Sequence, residues 1–79
     1  MDPDQTFRDL LEALKERRWD DVEANAKNLL LWLRKGGFPP HTLGDEALGH
    51  EWHRAVTEFV CYDVLSEVRR ARRTKGGAP

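Results

Sequence analysis

The stretch DEALGHEWH, residues 45–53, gathers the side chains best suited to hold a metal ion. On a helix, Glu46, His50 and His53 fall within about 60° of one another. Their i, i+4, i+7 spacing offers one carboxylate and two imidazoles to a divalent cation, with His41 as a fourth donor. Neither an H-E-x-x-H helix nor paired cysteines accompany them. A solvated helix face is therefore the expected state, and no metal or other cofactor is expected.

Cys61 is the single cysteine. A nucleophilic thiol needs a base or a positive environment to form thiolate, and nothing in the sequence places one beside it. Val64, Leu65 and Val68 follow at helical spacing, which suits a small buried hydrophobe. The acidic first helix and Glu51, Glu58, Asp63 and Glu67 read as outward-facing, whereas a general acid requires desolvation. No catalytic residue is assigned, and the chain is not expected to be an enzyme.

The stretch LRKGGFPPHTLG, residues 33–44, lacks the G-x-x-x-x-G-K-[ST] of a phosphate loop and the G-x-G-x-x-G of a dinucleotide fold. Gly36 after Arg34 and Lys35 fits the left-handed residue that stops a helix. Pro39 and Pro40 prevent continuation, and Phe38 is expected to fold back onto the core. An exposed Phe-Pro-Pro gripped by a partner is the alternative reading.

Thirteen basic and fourteen acidic residues leave a formal charge of −1, which argues against polycationic nucleic-acid binding by the whole domain. The charges are nonetheless segregated. Residues 36–68 carry six acids and only Arg54, whereas Arg69, Arg70, Arg72, Arg73 and Lys75 stand in a tail without an acid. Basic residues there complement a helix C-terminus. They also define an alternative function, a nucleic-acid-associated accessory or regulatory protein making weak, salt-sensitive contacts with nucleic acid or with an acidic protein surface.

Seventy-nine residues bound one domain, expected over 1–73 with a flexible tail at 74–79. One cysteine and the lack of an apolar leader lead to a cytoplasmic expectation. The longest apolar run, Leu29 to Leu33, is five residues, far short of the roughly 20 that span a bilayer, so no membrane association is expected.

The elements that must position these groups are helices. Asp2 caps, Pro3 opens, and Phe7, Leu10, Leu11 and Leu14 share one face of a helix over about 3–18. Trp19, Val22, Ala26, Leu29, Leu30 and Leu33 stripe a second helix over about 20–35, with Asp20 as its cap, leaving Leu31 and Trp32 off the stripe. A third helix is expected from about 43 to 72. Its Leu48, Trp52, Ala55, Val56, Phe59 and Val60 face is expected to pack on an antiparallel hairpin of the first two. Residues 13–30, ALKERRWDDVEANAKNLL, resemble the helix–turn–helix of a tetratricopeptide unit in how two helices pack.

The predicted fold is thus all-α with three helices. Cys61, Val64, Leu65 and Val68 cluster opposite the expected inner face, and with Leu31 and Trp32 they form an apolar seam needing cover. The function expected on this basis is a small non-catalytic interaction, adaptor, assembly or regulatory module. Its expected partner is a protein, a second copy of the chain forming a homodimer through that seam.

Overall fold

The computed structural model describes residues 1–77, with side chains described through residue 73. Three α-helices form the expected all-α domain: α1 spans Pro3–Lys15, α2 Trp19–Arg34 and α3 His50–Gly77. The expected tail at 74–79 lies beyond the described side chains; the α3 backbone is described to Gly77, and residues 78–79 lie outside the described residues.

Helix α1 starts as its sequence dictates. The Asp2 carboxylate accepts from the Gln5 amide at 3.1 Å, and Pro3 occupies the first turn, where no N–H is needed. The cap is not reciprocated, because the Gln5 side chain donates to Asp9 at 2.8 Å. Phe7, Leu10 and Ala13 are buried, while Leu11, expected inside, is exposed. Ala13 is fully buried instead, and Leu14 packs partly against the core.

Both hairpin helices end in the same stop. At the end of α2, the Gly36 amide bonds to Leu33 O at 3.0 Å and the Gly37 amide to Trp32 O at 2.9 Å, with Gly36 at φ 89°. This is the Schellman pattern, and the positive φ explains the glycine. At the end of α1, Arg17 and Arg18 make the equivalent bonds to Leu14 O and Ala13 O at 3.1 and 2.9 Å. There the left-handed position is filled by Arg17, at φ 59°. Asp20 does not cap α2. The helix begins one residue earlier, at Trp19, after Arg18.

Helix α2 is the middle element, in contact with both α1 and α3. Val22, Ala26, Leu29 and Leu33 are fully or almost fully buried along it, as their spacing predicts. The carboxylates of Asp20 and Glu23 at its start pair with Arg72 near the end of α3, at 2.7 and 3.0 Å, so the two helices run antiparallel.

Helix α3 departs from expectation in its start and its rotation. It begins at His50, not at about residue 43. Asp45 instead caps a single 3₁₀ turn, Glu46–Leu48, and Gly49 at φ 90° breaks the path before α3. The helix is also rotated, so that of the expected inner face Val60 packs partly against the core while its aromatic residues do not. Cys61, Val64 and Val68 are buried with Phe7, Leu10, Ala13, Val22, Ala26 and Leu29, and Leu65 packs partly against that cluster. The α3 part of the apolar seam expected to be free is therefore the inner face, and it cannot serve as a docking surface on a folded subunit. Trp52 and Phe59, expected inside, are exposed.

The inversion buries the apolar Cys61, Val64 and Val68, and two polar residues on the same stripe permit it. His53, Thr57, Cys61, Val64 and Val68 follow one another at intervals of four, four, three and four residues, a continuous helical stripe. His53 and Thr57 are both buried. Their polar atoms have partners: Thr57 Oγ1 donates to the His53 carbonyl at 2.7 Å, and the His53 ring is bonded at both nitrogens. Burial of a polar group costs little once its hydrogen bonds are made.

Candidate interaction surface

The connector between α2 and α3 is held by side chains from all three helices. Trp32 donates its indole N–H to Phe38 O at 2.7 Å, and Trp52 donates its own to Leu43 O at 2.7 Å. The Asp4 carboxylate accepts from the His41 amide at 2.6 Å. The Thr42 amide donates to His53 Nδ1 at 3.1 Å, and the Thr42 hydroxyl lies 2.8 Å from the same nitrogen. Because Nδ1 accepts, His53 carries its proton on Nε2, which lies 3.3 Å from Asp45 O. The glycine- and proline-rich stretch is thus a strap pinned at Phe38, His41, Thr42, Leu43 and Asp45. Phe38 does not enter the core. It is exposed and meets the Trp32 ring edge-on, with centroids 5.7 Å apart.

Beside the strap, Asp4, His41, Glu46, His50 and His53 line one open pocket of about 280 Å³. The structure therefore gathers the metal candidates Glu46, His50 and His53 with His41. It does not aim their donor atoms at a common point: among the described residues no three His, Cys, Asp or Glu side chains are arranged to hold a metal ion. The two nitrogens of His53 are already committed to the strap, and its ring packs edge-on against His41 at 4.9 Å.

Cys61 is buried, and burial, reinforced by the Glu58 carboxylate, pushes its thiol up to about 12. A thiol held that high is protonated at neutral pH.

The basic end of α3 divides in two. Arg72 is tied to Asp20 and Glu23, and Arg70 to Glu67 at 3.1 Å. Arg69 and Arg73 are exposed and have no ion pair among the described residues. The side chain of Lys75 lies outside the described part.

The feature missed in the sequence is the outer face of α3. Trp52, Ala55, Phe59 and Tyr62 lie about 180° from the buried stripe. Phe59 is 73% exposed, Tyr62 56% and Trp52 43%, and Leu43 (67%) and Leu48 (52%) extend the patch into the strap. Leu48 and Trp52 both approach Gly44, so the patch is continuous at that end. Leu31 and Trp32 lie elsewhere, on α2. Leu31 is exposed beside Met1, whereas Trp32 is partly covered by Phe38. Isolated exposed apolar residues are ordinary, but five large ones within twenty residues, three of them on one helix face, are not.

Among the described residues, no helix is long and apolar enough to cross a membrane. Comparison with protein families, curated proteins and solved structures finds no match for this chain.

Proposed function

We infer that the chain is a non-catalytic helical interaction module that works by self-assembly, with the outer face of α3 as its contact surface. The carrying observation is the exposure of Trp52, Phe59 and Tyr62 on the side of α3 facing away from the core. Large aromatic side chains dominate the energetics of protein interfaces, and a small domain gains stability by burying them between subunits. Their spacing of three, four and three residues, taken with Ala55, matches the heptad pattern by which helices pair. No role for the chain as an adaptor or regulator of a third component is needed to explain this face.

The test is solution mass across a concentration series for the native chain and Phe59→Asp. The native chain is expected to move from monomer to dimer as concentration rises, and the variant, still helical by circular dichroism, to remain monomeric. A native chain that stays monomeric at millimolar concentration contradicts the reading.

A further inference from the structure

The outer face of α3 has two unlike halves. Its seam positions are Trp52, Ala55, Phe59 and Tyr62, and the same spacing continues through Ser66, Arg69 and Arg73. Apolar positions are thus followed by basic ones. The flanks are polarised in the same sense. Glu51, Glu58 and Asp63 border the aromatic half, Asp45 and Glu46 precede it, and no acid follows Glu67.

Resting on the reading of this face as a self-association surface, we propose that two copies of the chain pair along α3 in antiparallel orientation, held in that direction by charge. Parallel pairing would set Arg69 and Arg73 against their own copies and Glu51 against its own, and like charges brought together are strongly disfavoured. Antiparallel pairing reverses both contacts. The guanidinium groups of Arg69 and Arg73 then reach the acidic end of the other copy, where Glu46 and Glu51 supply carboxylates and Trp52 supplies a ring face. Phe59 and Tyr62 straddle the middle of the 52–69 stretch and meet the same aromatic pair of the second copy.

The pairing inside one subunit agrees with this division of labour. Arg72 points to α2, where it binds Asp20 and Glu23. Arg69 and Arg73 are exposed, and neither they nor Glu46 and Glu51 make an ion pair among the described residues. The groups that antiparallel docking requires are those the subunit leaves unspent.

Three variants test the orientation by sedimentation equilibrium: Glu46→Lys with Glu51→Lys, Arg69→Glu with Arg73→Glu, and all four together. Circular dichroism checks that each remains helical. Each single-end reversal places like charges across an antiparallel pair and is expected to weaken the dimer by about tenfold or more. The fourfold variant restores opposite charges at both ends and should recover native affinity. Raising salt to about 0.5 M should weaken the native dimer, because the charged ends are solvent-accessible. If the native chain dimerises but the fourfold variant is no tighter than the single-end reversals, antiparallel pairing is wrong while self-association stands. A native chain that does not dimerise removes both.

Discussion

Arg17 holds a backbone conformation that non-glycine residues avoid, with φ 59° at the stop of α1. The cost of a left-handed residue is about 1 kcal/mol, and Arg17 recovers part of it by resting its guanidinium 5.9 Å from the Trp19 ring centre. Arg17→Gly is therefore expected to raise unfolding stability by about 0.5 kcal/mol, measured by urea denaturation; a loss would show that the Trp19 contact outweighs the strain. The pair between Arg72 and Glu23 makes a separate prediction. The hydrogen bond from Arg72, and then that from Lys27, holds the Glu23 carboxyl below the usual carboxylate range. Its contribution is thus present above the ordinary carboxylate range and is lost as pH falls through the lowered value. Arg72→Gln should move the Glu23 carboxyl titration, followed by NMR, upward toward the ordinary range, and an unchanged midpoint would mean the tie is not made in solution. Asp2 as cap and Gly36 as stop were legible in the sequence because each is the residue its position prefers. Arg17 was not legible, because its conformation runs against its type.

Helix α3 shows why the division of a helix into faces can be misread. Its inner stripe opens with His53 and Thr57, which hydropathy assigns to solvent, while its outer stripe carries Trp52 and Phe59, which hydropathy assigns to the core. The structure reverses both: the stripe continues into the buried Cys61, Val64 and Val68, and His53 and Thr57 can join it because they find partners inside, the strap supplying those of His53. No sequence pattern announces that the Thr42 amide will meet an imidazole eleven residues later, so the start and rotation of α3 could not be read in advance. The stripes of α2 and most of α1, which contain no buried polar residue of this kind, were legible. His53→Ala leaves the Thr42 amide without its acceptor in a partly buried site, at a cost of about 1–3 kcal/mol. Urea denaturation should show that loss, and hydrogen exchange should show faster opening of the Thr42 amide. Equal stability and unchanged exchange would mean that the strap does not depend on this bond.

At the scale of the whole molecule, the candidate site was partly visible. That α3 is apolar on two sides followed from composition and spacing; which side is sealed inside the subunit did not. The account rests on that assignment, and it is tested most directly by comparing Val64→Ala with Phe59→Ala in one experiment that measures unfolding stability at dilution, where the monomer prevails, and solution mass at high concentration. Val64→Ala is predicted to lose about 2–3 kcal/mol of monomer stability by opening a cavity in the core. Phe59→Ala is predicted to leave monomer stability within about 0.5 kcal/mol and to abolish the proposed self-association. A large stability loss for Phe59→Ala together with a neutral Val64→Ala would contradict the account, since it would place the aromatic face inside and the valines at the surface.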